Sequence, residues 1–478
     1  MKNLLRKTGY GLGDMASSMF WKVFSYYLPF FYSNVFGLRL ADAAVLVLLT
    51  RIWDAISDPM MGVISDRTNS RWGKYRPYLL WFAAPFSICG ILLFTTPDLS
   101  YAGKLIWAYV TYILMMTVYT GINVPYGAML GVISDEPKEK TVYSSFRMFF
   151  AYGGAFIALF SWEPLCEFFQ KDMGTSVATS WQCAMCMIAF ACLVLFLCCF
   201  ALTRESVKSV STMSVAKDFK ALLSNGPWWL LIGAALSFNL FCTLRGATVV
   251  YFFADVIGDN AMLGFGKFGS ILFYSGLFLG IGEIANMAGV ALTVPVSARL
   301  GKKSTFITVN ATLVLLSTAF FLVPVTPQGY WMMLVLQVLI SVLTGIMSPL
   351  IWSMYADVSD YSELKYKSAS TGLIFSSSSM AQKFGGAIGG AAVLWLLGAF
   401  GYSEATTGMS QTPSAISCLW YLMSLIPAGV ALVAVLVATA YPLTTEKVNE
   451  IVQHLKHQRL HSADSVEAAE MTDFANAM

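Results

Sequence analysis

The sequence predicts an all-α membrane protein of twelve transmembrane helices arranged as two pseudo-symmetric six-helix bundles. Three observations carry that reading. Apolar residues make up 57% of the 478-residue chain and charged residues only 12%, about half the charge that solvates a soluble protein. The apolar residues fall in long unbroken runs, as a bilayer helix of about 20 residues requires. A polar stretch, TRESVKSVSTMSVAKDFKALLSNGP, divides those runs six and six. With no water in the hydrocarbon, each span must satisfy its own backbone, so the spans are helices, and the lack of alternation excludes a barrel.

In order, the spans are expected at about 10–36, 42–64, 78–96, 104–128, 146–168 and 181–202, then 228–255, 271–296, 304–323, 331–353, 371–400 and 415–441. Pro29, Pro59, Pro125, Pro349 and Pro427 lie inside spans; in a bundle, neighbouring helices re-satisfy the carbonyls that such prolines free. The N-terminal bundle then covers 1–202, a cytoplasmic linker 203–227, the C-terminal bundle 228–441 and a cytoplasmic tail 442–478. The tail opens as a short amphipathic helix, VNEIVQHLKHQRL, and turns polar. The first run lacks a small-residue cleavage site, so it is expected to stay as span one. Of the 30 Lys and Arg, four (Arg39, Lys104, Lys171, Lys267) fall in odd-numbered loops, and 21 in the N-terminus, even-numbered loops and tail. That asymmetry places both termini in the cytoplasm and the chain, multi-pass, in the inner (plasma) membrane. GVISDRTNSRWGKYRP after span two is echoed by VPVSARLGKKS after span eight, the trace of a repeat.

Composition excludes several functions. Thirty basic against 27 acidic residues leave too small an excess for nucleic-acid binding. The three His (His454, His457, His461) lie in the tail, leaving none for an intramembrane metal or proton relay. Cys183 and Cys186 form a lone CxxC within an apolar run, where packing is the expected role. There is no GxxxxGK[ST] loop for an ATP-driven pump, and no nucleophile–base pair. Neither an enzyme nor a cofactor is expected.

Charge inside a bilayer costs about 2.5–3.5 kcal/mol per residue on insertion scales, so each such residue asks for a reason. Span two carries RIWDAISDPMMG. Asp54 and Asp58 are four residues apart on one face, and two like charges held together invite a cation or a proton. Ser57 and Thr120 offer neutral oxygens, which suit Na⁺. Pairing of Arg51 with Asp54 is the plainer alternative, but it leaves Asp58 unexplained. Lys383, in SMAQKFGGAIGGA, needs a partner from another helix, and Asp54 or Asp58 is the natural one, as a competitor of the cation or as a static bridge. Span one presents Asp14, Ser18 and Lys22 as one polar stripe. Asn123 and Tyr126 of span four, Arg147 of span five, and Asn239 and Arg245 of span seven complete a set suited to sugar hydroxyls and ring faces. Arg147 and Arg245 suit snorkelling equally well. Lys22 implies either an acid on another helix or a substrate that is itself acidic. In the cytoplasmic loops, Asp66, Arg67, Arg71 and Lys74, grouped with Arg51 of span two, face Asp357, Asp360 and Glu363 of DVSDYSELK. This set is expected to gate that side by charge pairs, unless it serves topology alone.

RIWDAISDPMMGVISDRTNSRWGKYRPYLL resembles the second span and following loop of the glycoside–pentoside–hexuronide:cation symporters. YGLGD, YTGINVPYGAM, SSFRMFF, ADVSDYSELK and Lys383 extend the resemblance in order over nearly all of 8–440. It implies a major facilitator fold and uptake of a sugar or glycoside coupled to Na⁺, H⁺ or Li⁺. Asp54 and Asp58 then match cation-site carboxylates, Thr120 a cation-site hydroxyl, Lys383 a lysine near both sites and Arg147 a sugar-contacting arginine. The family's melibiose permeases have sugar-binding carboxylates in spans one and four where this chain has Ser18 and Asn123, which puts a galactoside in doubt. The expected partners are a sugar or glycoside, the coupling cation and the lipid bilayer, with the chain working as a monomer. A carrier of a lipid or amphipath and a non-transporting sugar sensor are the rivals. The polar stripe of span one argues against the first, the carboxylate pair against the second.

Overall fold

The computed structural model describes residues 2–133, 137–205, 223–257, 275–366, 371–403, 411–451 and 453–454. The N-terminal six rods are α1 (Lys2–Phe30, continued by a π-helical turn, Phe31–Val35), α2 (Leu40–Arg67), α3 (Arg76–Leu93), α4 (Tyr101–Val132), α5 (Pro137–Lys171) and α6 (Val177–Leu202). The second six are α7 (Gly226–Phe252, continued by a π-helical turn, Phe253–Ile257), α8 (Ser275–Leu300), α9 (Lys302–Phe321), α10 (Pro327–Tyr366), α11 (Thr371–Ala399) and a broken rod, α12 (Pro413–Met423) with α13 (Leu425–Thr439). Most of the linker and of the tail, and Lys267, lie outside the described residues, as do the side chains of Arg51 and Asp66. Residues 445–451 are helical.

Local chemistry sets the ends. The side chains of Ser100, Ser176, Asn225 and Thr412 each accept a backbone N–H of the helix they precede, satisfying one of its orphan donors. α2 carries Asp42 in its first turn and Arg67 in its last, complementing the helix dipole. Among the described residues, ten rods are long and apolar enough to cross a membrane. In α1 and α2 the middle turns carry Asp14, Lys22, Asp54 and Asp58 instead. Large apolar side chains such as Ile106, Phe190, Val294 and Leu315 point outward, as a lipid-facing surface requires.

The halves meet along α1 against α7, α2 against α11, and α5 against α8. Exchanging the two repeats turns α2 into α8 and α11 into α5. The last two contacts therefore map onto each other, as an internal two-fold relation demands. Twelve spans bring the chain back to the side where it began, so the bundle has a terminal end and a distal end. One apolar core fills the N-terminal half and continues through the distal parts of α7, α8, α10, α11 and α12. The rest of the C-terminal half has a separate core of its own. Polar contacts tie the distal seam as well. Ser33 meets Tyr251 at 2.9 Å, Asn34 donates to Tyr402 at 3.2 Å, and Tyr402 donates to Asp255 at 2.6 Å. Burial, with the Asp255 carboxylate beside it, pushes the Tyr402 hydroxyl above its ordinary range, keeping it a donor. Ser275 of α8 donates to Glu163 of α5 across the same seam, and Tyr27, from the half that holds Glu163, donates to the same carboxylate. Among the described residues these contacts hold the halves together at the distal end, while Lys22, Asp58 and Arg147 between the halves stay part exposed, so the crevice is entered from the terminal end.

Candidate functional site

The regular turn of α2 puts Asp54 and Asp58 on one face. Asp54 is buried, and Ser57 Oγ turns to the Asp54 backbone carbonyl at 3.5 Å. Asp58 is bound from two other helices. Thr120 Oγ1 of α4 donates to its Oδ1 at 2.8 Å, and Lys383 Nζ of α11 lies 2.6 Å from that oxygen and in contact with Oδ2. Of the two acids expected for Lys383, the structure selects Asp58. The pair joins the two halves. Its side chains are 24% (Asp58) and 12% (Lys383) exposed, deep within helices that cross the bundle, so the crevice wets them. The ammonium thus shares Asp58 Oδ1 with the Thr120 hydroxyl. Asn239 lies on α7 against Gly385 of α11, and its amide donates to Ala235 of its own helix at 2.8 Å.

The stripe on α1 is organised differently from the sequence expectation. Asp14 Oδ2 accepts from Arg147 Nε at 2.9 Å within the N-terminal half, and Arg147, 35% exposed, lies 5.4 Å over the Tyr126 ring. Tyr126 stacks on Tyr10 at 4.8 Å and donates to its carbonyl at 2.6 Å. Arg147 therefore lines the crevice without snorkelling. Ser17, not Ser18, donates to Asn123 Oδ1, at 3.1 Å. The helical turn points Ser17 at α4 and leaves Ser18 beside it. Lys22 does meet an acid on another helix: Glu283 of α8 at 2.5 Å, with Tyr26 accepting a further bond at 3.2 Å. The charge that suggested an acidic substrate is thus met by the protein.

Arg245 is not in the crevice. Pro427 has no N–H for the carbonyl of Met423 four residues earlier, so the twelfth rod breaks at Ser424. Buried Arg245 donates to that Met423 carbonyl, and to Gln337 Oε1 at 2.9 Å. Its role is to repair the break. The expected gate also differs. Asp357 is bound at both oxygens, 2.6 and 2.7 Å, by Lys302 of its own half. Asp360 and Glu363 lie in the last turns of α10, half-buried. Arg67 is exposed, Arg71 stacks on Trp72 at 4.2 Å, and the Lys74 N–H bonds Glu205.

Sequence reasoning missed three acids. Glu283 sits in GLFLGIGEIANMAG and Glu163 in LFSWEPL. The cost of intramembrane charge, applied to every span, would have flagged both. Glu205 accepts the N–H groups of Lys74, Tyr75 and Arg76 at 2.8, 2.7 and 2.7 Å. It is separated from them by about 130 residues of chain, and no local pattern signals it.

Comparison with known proteins accords with this geometry. Over residues 9–445 the chain matches the family described as MFS/sugar transport protein. It is 33% identical over 462 residues to a putative glycoside/cation symporter of Escherichia coli K12, YagG, covering 96% of each chain. It is 33% identical over 437 residues to an isoprimeverose transporter of Lactiplantibacillus pentosus, covering 89% of this chain and 87% of that one. Its backbone is similar to that of the nucleoside transporter NupG, with a TM-score of 0.64, 91% of this chain and 98% of that one covered, and 14% sequence identity; this last likeness is one of fold.

Proposed function

Because the chain belongs to the MFS/sugar transport protein family, we propose that it is a symporter that uses a Na⁺ or H⁺ gradient to import a sugar or glycoside by alternating access. The observation that carries the coupling is the Lys383–Asp58 contact across the halves, with Thr120 on the same carboxylate. A cation entering between Asp54 and Asp58 must displace the ammonium, and that loosens α2 from α11. The sugar is taken in the crevice lined by Asp14, Arg147 and Asn123, with Tyr126 buried beneath the Arg147 guanidinium. A glycoside accords with the names of the two sequence relatives. The excess of Lys and Arg in the even-numbered loops and tail supports an inner-membrane location with both termini cytoplasmic. The polar lining of the crevice disfavours a lipid cargo, and a sensor has no use for a displaceable ammonium.

The test is uptake into proteoliposomes of labelled isoprimeverose, methyl β-xyloside and p-nitrophenyl glucuronide under an imposed Na⁺ gradient, a proton gradient or none. Accumulation of at least one of them under one gradient is the expected result. Equilibration at the same rate and level in all three conditions would leave a facilitator, not a symporter.

A further inference from the structure

Glu283 is a carboxylate midway along an apolar helix, and its side chain is 4% exposed. A charge at that depth is costly, and the fold meets it in two distinct ways. Asn286 Nδ2, one turn along α8, donates to Oε2 at 3.2 Å, and Asn286 is itself fixed by Thr344 Oγ1 of α10 at 2.9 Å. These contacts belong to the C-terminal half and travel with it. Lys22, bound to Oε1 at 2.5 Å, comes from the N-terminal half. Its side chain is 22% exposed, so the crevice reaches the contact from the lysine side. Tyr26 offers the ammonium a second position, through its hydroxyl at 3.2 Å and its ring at 5.2 Å.

The layout parallels that of Asp58. In each, a carboxylate is held by a neutral group of its own half and covered by an ammonium from the other. An ammonium presents N–H donors to the acid; a sugar presents adjacent O–H donors at similar spacing. Asp14 differs, because its partner Arg147 belongs to the same half, and displacing it would release nothing between the halves. On the reading that this chain carries a sugar, we infer that Glu283 is the sugar-binding carboxylate of the C-terminal half, occupied by Lys22 until substrate hydroxyls displace it. Lys22 then rests on Tyr26, and the α1–α8 tie is cut by the same event that binds the sugar.

The inference distinguishes the two partners of one ion pair. Affinity is measured calorimetrically on the purified full-length protein in Na⁺, using the tightest ligand among isoprimeverose, methyl β-xyloside, p-nitrophenyl galactoside and p-nitrophenyl glucuronide, together with its monodeoxy analogues. Glu283→Gln is expected to weaken binding about tenfold or more, the scale of a hydrogen bond to a charged group. It should also erase the penalty for removing one particular hydroxyl. Lys22→Gln is expected to bind more tightly than wild type, because the competitor is gone, and to keep that penalty. Equal losses in both variants with an unchanged deoxy profile would make the pair a strut and overturn the inference. Should Glu283→Gln fail to fold, Glu283→Asp carries the test: it keeps the charge but withdraws it by one methylene, and wild-type affinity with a wild-type deoxy profile in that variant likewise overturns the inference. A wild-type protein that binds none of the panel removes the sugar-carrier reading itself, and the inference with it.

Discussion

At Asp58 one carboxylate is shared by an ammonium and a hydroxyl, and that crowding makes it the residue on which coupling turns. Asp58→Asn keeps an acceptor for Thr120 but gives Lys383 no charge to rest on and the cation none to bind. One charge moving down 100 mV is worth about 2.3 kcal/mol, or about a fifty-fold accumulation of a neutral solute. The variant should lose that accumulation while still exchanging labelled for unlabelled sugar across the membrane, as counterflow in vesicles would record. Concentrative uptake at the wild-type level would place the coupling ion elsewhere. Arg245 gives the contrasting case of a charged residue whose work is structural. Arg245→Met strands the Met423 carbonyl and Gln337 in a buried site, at about 1–3 kcal/mol. Thermal unfolding in detergent should move down accordingly, with sugar affinity retained in the folded fraction. Lost affinity at unchanged stability would return Arg245 to the substrate site.

Among the elements, α3 shows how a distant side chain finishes a helix. The N–H of its first residue, Arg76, and those of Lys74 and Tyr75 just before it point at Glu205, a residue that follows α6. Gly73 makes room for the carboxylate. Its φ is +115°, and an added Cβ would come 2.6 Å from Glu205 Cδ. Glu205→Ala should destabilise by about 0.5–2 kcal/mol, the range for a lost cap. Gly73→Ala should cost at least as much, since it strains the backbone and evicts the same cap; urea or thermal unfolding ranks the two. The existence and order of the elements were legible in the sequence because apolar runs of bilayer length have few other outcomes. Their irregularities were less so. α10 continues to Tyr366, well past the expected 353, because DVSDYSELK has no helix breaker and its polar residues lie beyond the apolar run. The break before α13 follows from Pro427, which the sequence displays but whose effect depends on Arg245 arriving from α7. Intramembrane charges such as Asp54, Asp58 and Lys383 were legible as charges set in apolar runs. The pairings were not, since Lys22 finds Glu283 across 261 residues of chain.

At the scale of the whole molecule, a single apolar core joins the halves at the distal end, while the charged pairs lie in the crevice below. Transport by rocking of the halves requires that seam to part once per cycle. α2 and α11 offer a place to test this. Leu40 opens α2 at the distal end, and a Cβ built on Gly398, near the end of α11, lies 3.6 Å from Leu40 Cβ. Disulfides form at Cβ separations of about 3.5–4.5 Å, so Leu40→Cys with Gly398→Cys should oxidise without moving the backbone. The cross-linked protein should still bind sugar, because its crevice remains open toward the terminal end, but uptake should fall to that of empty vesicles and return on reduction. Either single-cysteine variant should transport through oxidation, which excludes a reaction with the native thiols. Undiminished uptake in fully cross-linked protein would mean that substrate passes without the distal seam opening, and the two halves would then have to be treated as a fixed frame around some other moving part.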